Sequence, residues 1–207
     1  MKKTPILLIL VAAIAMACGA YFYQMRHIVL PQPTLNTGSL YPAPRDLDAF
    51  SLTIEGQASL SDKQLKDHYS LLFFGFTRCP DICPLTLAAL AEAYKAWPSA
   101  LAERKPKVWF ISVDPERDAL KPSSDYAKFF NPEFQAATGT ITELQALARQ
   151  LNVAIKKVPD DNSADNYSID HSANLLLINP KGQLVGVIRP PFVASALRDD
   201  LLAMVSD

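Results

Sequence analysis

The stretch that most constrains the fold is "SLLFFGFTRCPDICPLTL", Ser70 to Leu87. Its first seven residues, Ser70–Phe76, form a continuous apolar run suited to a strand covered on both faces. "LTLAALAEAYKAW" (Leu85–Trp97) then has helical periodicity, and Pro84 is expected at the first helical position, where proline is tolerated. A buried strand passing within a few residues into a helix calls for an α/β architecture, with helices lying on a sheet. The connecting turn holds Cys79 and Cys83, each followed by a proline.

Similar patterns fill the rest of the chain. Phe50, Leu52 and Ile54 alternate as in a half-buried strand. "KVWFISVD" (Lys107–Asp114) is a second buried strand, and a helix is expected over Pro122–Phe130. Thr140 and Glu143 have capping-box spacing before "LQALARQL". Val153–Val158 is a candidate strand followed by the polar "PDDNSADN" (Pro159–Asn166). "NLLLINPKGQLVGVI" (Asn174–Ile188) reads as a hairpin turning at Asn179–Gly182, and a final helix is expected over about Phe192–Met204. The order implies a central mixed sheet sandwiched by helices. A reactive pair after a buried strand and at the start of a helix is the thioredoxin arrangement, and ligands of open α/β sheets sit beyond the carboxyl ends of the strands. Cys79 and Cys83 follow one such end and Asp114 another.

The N-terminus is of another kind. Ile6 to Tyr23 contains no charged side chain. Its 18 residues would rise about 27 Å as a helix, against a bilayer core of roughly 30 Å. Lys2 and Lys3 before it predict a cytoplasmic start and an exported remainder. The expected organisation is a membrane anchor over 1–23, a Pro-rich tether over 24–48 and a folded domain over 49–207. A cleaved signal peptide and a lipid on Cys18 are the alternatives to the anchor. The domain is thus expected to face the periplasm from a single-pass anchor in the inner membrane. The net charge of −1, with 20% charged residues, gives no basic excess of the sort that nucleic acid selects.

Beyond the anchor the chain has only Cys79 and Cys83, an even pair in a disulfide-permissive compartment. A bridge closing so small a loop removes little unfolded-chain entropy, so the pair points to chemistry rather than stability. A helix N-terminus favours thiolates, which are both nucleophiles and soft metal ligands. Three intervening residues permit a disulfide and leave room for a metal. A metal needs a further ligand, and the candidates are His171, in "YSIDHSANLLLI" at a sheet edge, and His68, which reads as a surface side chain. His27 lies near the anchor.

"FFGFTRCPDICPLTLAAL", "FISVDPERD" and "YSIDHSANLLLINPKG" resemble, in order, the three signature blocks of the Sco/SenC family of copper-binding assembly proteins. The resemblance runs from about Phe50 to the C-terminus. It implies a thioredoxin-like fold and copper held by Cys79, Cys83 and His171. Two thiolates suit Cu(I), and an added imidazole also accommodates Cu(II), although zinc uses the same donors. Asp170 is either a group that orients His171 or a strand-end residue. Arg117 with Asp114 or Asp118 either organises the mouth of the site or makes an ion pair, with Asp118 capping the next helix. "LKDHYS" lacks the family's usual Gly-Lys turn.

The implied function is that of a copper metallochaperone, not an enzyme, which assembles the CuA centre of a respiratory haem–copper oxidase. Its partners would be a copper donor and the oxidase subunit that carries CuA. The alternative is a thiol–disulfide reductase that keeps the oxidase's copper-ligand cysteines reduced. A peroxidase is disfavoured, because Thr77 stands two residues before Cys79 where peroxiredoxins place threonine three before.

Overall fold

The computed structural model describes residues 4–26, 33–56, 59–160 and 163–206. They fall into two compact units, 1–32 and 33–207. In the first unit, α1 (Thr4–Arg26) presents Ile9, Leu10, Val11, Ile14 and Phe22 as exposed apolar side chains. Its side chains are described from Ile9 to Tyr23, and among the described residues no helix is long and apolar enough to cross a membrane.

The second unit is built on an eight-stranded mixed sheet. Its strands are β1 (Gly38–Arg45), β2 (Ser51–Ile54), β3 (Leu60–Ser61), β4 (Ser70–Gly75), β5 (Lys107–Ser112), β6 (Gln135–Thr138), β9 (Leu175–Ile178) and β10 (Leu184–Ile188), in the order β1-β10-β9-β4-β5-β6-β2-β3. Among the described residues β7 (Ile155–Asp160) and β8 (Ser163–His171) pair only with each other. The α-helices among the described residues of this unit are α2 (Ile82–Lys95), α3 (Leu120–Phe130), α4 (Ile141–Gln150) and α5 (Ala194–Val205).

The apolar run gives β4, with all six residues buried. It runs parallel to β5 and antiparallel to β9. Two crossovers, through α2 and α3, carry the chain from β4 to β5 and on to β6, whereas β9 lies on the other side of β4. The chain's direction across the sheet therefore reverses at β4, the switch point where such sheets bind ligands. The core comprises the faces of β4, β5 and β9 with Leu87, Leu90, Leu197 and Leu201 from α2 and α5. α4 starts with a complete capping box: Glu143 N–H donates to Thr140 Oγ1, and Glu143 Oε2 accepts from Thr140 N–H at 2.8 Å.

Two expectations are revised. Residues 38–45, within the expected tether, form β1 at the edge of the sheet, paired antiparallel with β10. Pro42 and Pro44 had suggested an extended linker, but an edge strand tolerates residues that cannot donate. A carboxylate latches the approach to this strand: Asp200 of α5, fully buried, accepts bonds from the backbone N–H and side chains of Asn36 and Thr37. Secondly, α2 begins at Ile82, so Pro84 is its third residue rather than its first. No partner is lost, because the N–H groups of the whole first turn lack intrahelical acceptors.

Candidate metal centre

From the carboxyl end of β4 the chain makes a short loop, Phe76 to Asp81, in which Cys79 N–H donates to the Phe76 carbonyl at 3.2 Å. Helical bonding starts with Leu85 N–H to the Asp81 carbonyl, placing Cys83 in the first turn. Neither cysteine is in a disulfide; Cys79 is 9% exposed and Cys83 fully buried. Cys83 Sγ rests against Gly75, where an added Cβ would lie 2.8 Å from the sulfur. Glycine is required there by this close approach.

Burial pushes the Cys83 thiol up, and the neighbouring Cys79 adds to that, while a backbone hydrogen bond with Phe76 acts in the other direction. The thiolate-favouring effect expected of a helix N-terminus is therefore outweighed at Cys83 by desolvation. A bound cation reverses that balance, since a coordinating thiol is deprotonated outright.

The loop is held by a buried carboxylate that sequence reasoning assigned differently. Asp118 does not cap α3, whose N-cap is Ala119. Its Oδ2 accepts from Thr77 N–H and from Ser112 Oγ–H, both at 2.7 Å, and its Oδ1 accepts from the Thr77 hydroxyl. Asp114 and Arg117 form the expected ion pair. They also reach β8: Tyr167 O–H donates to Asp114 Oδ1 at 2.6 Å, and Arg117 Nη1 donates to the Tyr167 carbonyl at 2.9 Å. Neither Tyr167 nor the Thr77 grip was foreseen, because only the fold brings these partners together.

Topology places the third candidate. Leu175, at the start of β9, pairs with Phe73 near the carboxyl end of β4. The chain at His171, four residues before Leu175, and at Cys79, six after Phe73, therefore lies beyond the same end of the sheet. His171 closes β8, its Cα opposite Ile155, and the next residue is pinned by Ser172 N–H to the Ala154 carbonyl. The His171 side chain lies outside the described residues. Among the described residues no three His, Cys, Asp or Glu side chains gather into a metal-holding group. A cleft of about 370 Å³ separates the cysteine loop from the hairpin, with Phe76, Cys79 and Ile82 on one wall and Val158, Ile169 and Asp170 on the other.

His68 is elsewhere. It precedes β4, so a six-residue strand, about 20 Å long, separates it from the cysteines. It is half-buried rather than a surface side chain, with Nε2 buried and unpartnered. Desolvation holds its pKa below the usual histidine value, and Lys107 adds to the effect. The missing Gly-Lys turn is replaced by Asp67, which adopts φ 66° and donates its N–H to the Pro180 carbonyl at 2.8 Å. Cys18 is exposed on α1, and His27 lies outside the described residues.

A mixed sheet between helices, with a dithiol at the carboxyl end of its central strand and the start of the following helix, defines a thioredoxin-like protein. Within that class the comparisons are specific. The SCO1/SenC family model matches residues 42–206, and the chain belongs to that family. It is 30% identical to protein sco1 of Schizosaccharomyces pombe over 181 residues, covering 87% of this chain and 68% of the other. The copper-bound structure of ScoI from Arabidopsis thaliana superposes with a TM-score of 0.69 at 30% identity, covering 77% of this chain and 98% of that one. Copper-bound ScoI from Bradyrhizobium japonicum gives a TM-score of 0.66 at 32% identity, covering 74% and 96%.

Proposed function

We propose that this chain is a copper metallochaperone that holds the ion through Cys79, Cys83 and His171 and delivers it during assembly of the CuA centre of a haem–copper oxidase. The observation that carries the reading is the convergence of the dithiol loop and the end of the His171 strand on one end of the sheet, across a single cleft. Two sulfurs carried by one short loop and the first turn of α2 suit Cu(I), and an imidazole extends the site to Cu(II). Buried on one side and open to the cleft on the other, the site excludes bulk water and leaves a face from which a recipient's ligands approach. The copper-bound relatives support the choice of copper over zinc. α1, with its uncharged run and exposed apolar side chains, is the proposed anchor that holds the domain on the periplasmic face of the inner membrane.

One observation favours a second reading, thiol–disulfide exchange. Both thiols sit at the carboxyl end of β4, four residues apart, and Cys79 is the more exposed. Attack by Cys79 on a partner's disulfide forms a mixed disulfide. Cys83 then displaces the partner, which leaves with both its thiols while the pair here becomes oxidised.

The test is anaerobic titration of the reduced full chain with Cu(I) and then Cu(II), beside His171→Ala. One tight copper per chain, with sulfur-to-copper absorption that changes in the variant, is expected. Absence of tight binding together with ready dithiol–disulfide cycling would reverse the order of the two readings.

A further inference from the structure

We propose that Tyr167 is a positioning residue: it fixes the His171-bearing hairpin to the same turn that grips the cysteine loop, and so sets the spacing of the copper ligands. This rests on the ligand set proposed above.

Among the described residues the hairpin β7–β8 takes no part in the eight-stranded ladder, so strand pairing with the body does not set its position. The turn 114–118 supplies what the ladder does not. Arg117 and Asp118 N–H both donate to the Asp114 carbonyl, at 3.1 and 2.8 Å, making the turn one compact unit. From this unit Asp118 reaches Thr77, two residues before Cys79. In the other direction Asp114 accepts from the Tyr167 hydroxyl, while Arg117 donates to the Tyr167 carbonyl.

The Tyr167 ring is also held face-on by two cations. The Arg117 guanidinium lies 3.5 Å from its centroid and the Lys157 ammonium 3.7 Å, a geometry in which the ring's negative face attracts both. Lys157 is in turn bonded to Glu116 of the same turn at 2.7 Å. Asp114 is almost fully buried, so its bond to the phenol is shielded from competing water. Tyr167 stands four residues before His171 on one strand, about 13 Å along it. The turn is therefore a common mount for both halves of the site.

Tyr167→Phe in the full chain removes the hydroxyl and keeps the ring between its cations. Cu(II) affinity is expected to fall about tenfold, the lower end of the range for losing a group that orients a metal ligand. Cu(I) affinity, carried by the sulfurs, should stay within about twofold, and the Cu(II) paramagnetic resonance spectrum should lose definition in its nitrogen couplings. His171→Ala runs beside it. If His171→Ala weakens Cu(II) binding while Tyr167→Phe leaves affinity and spectrum unchanged, the positioning role falls and the ligand set stands. If neither variant changes anything, His171 leaves the site and Tyr167 with it. Equal losses for Cu(I) and Cu(II) together with a lowered melting temperature would make Tyr167 a general stabiliser and overturn the proposal.

Discussion

Asp118 is 1% exposed and accepts three hydrogen bonds, two from Thr77 and one from Ser112. In Asp118→Asn the amide oxygen still accepts at the Oδ2 position, and the Thr77 hydroxyl can rotate to accept from the new NH2. What is lost is charge assistance: bonds to a charged acceptor contribute about 1.5–3 kcal/mol and neutral ones about 0.5–1.5. For the two bonds at Oδ2 the difference amounts to about 2 kcal/mol. In Asp118→Ala the Thr77 N–H is orphaned in the interior, which raises the total to about 4 kcal/mol. In a domain of this size each kcal/mol moves Tm by about 2–4 °C. The Asn variant should therefore melt roughly 4–8 °C below the parent and the Ala variant roughly 8–16 °C below it. Calorimetry of the reduced, copper-free protein measures both. A cycle with Thr77→Val should give a coupling of about 1–2 kcal/mol. Asn and Ala variants that melt within a degree of the parent would refute the claim that this carboxylate holds the cysteine loop.

Further substitutions probe neighbouring features. Gly75→Ala places a methyl 2.8 Å from both Cys83 Sγ and Phe110 Cε2; overpacking should cost about 1–3 kcal/mol and lower copper affinity, and a variant as stable as the parent would contradict the packing described. In the reduced protein Cys79 should be alkylated by iodoacetamide well before Cys83, because Cys83 is buried and its thiol is held above the ordinary value. The same shift makes the unfolded chain lose that proton first, so above about pH 9 the dithiol form should lose up to about 1.4 kcal/mol of stability per pH unit, a loss that oxidation to the disulfide abolishes. Replacing Asp67, at φ 66°, with glycine should stabilise the fold by about 0.5–1 kcal/mol, read as a rise in Tm; a fall would mean that the carboxylate contributes more than the backbone gains.

Features carried by local patterning were legible in the sequence. β4 announced itself as an unbroken apolar run, α4 by a capping box within four residues, and β9–β10 by a turn whose Gly182 has φ 77°. The pair Cys79–Cys83 was legible for the same reason, both residues lying in one loop. Features that depend on distant partners were not. Asp118 looked like a helix cap because its true partner, Thr77, is 41 positions away. Tyr167 gave no signal, since its role comes from a turn 50 residues upstream. The prolines of β1 pointed to a linker because propensity is silent on whether a strand lies at an edge.

Those prolines also bear on how the protein behaves in a crowd. The two margins of a sheet are where separate molecules stick to one another, each offering free N–H and C=O groups to the next. On one margin Pro42 and Pro44 remove two donors, and the register of β1 shifts between Leu40 and Arg45. The other margin, β3, is only two residues long. Neither is a straight template for a foreign strand. A domain with blunted margins can be concentrated with little risk of growing into fibrils.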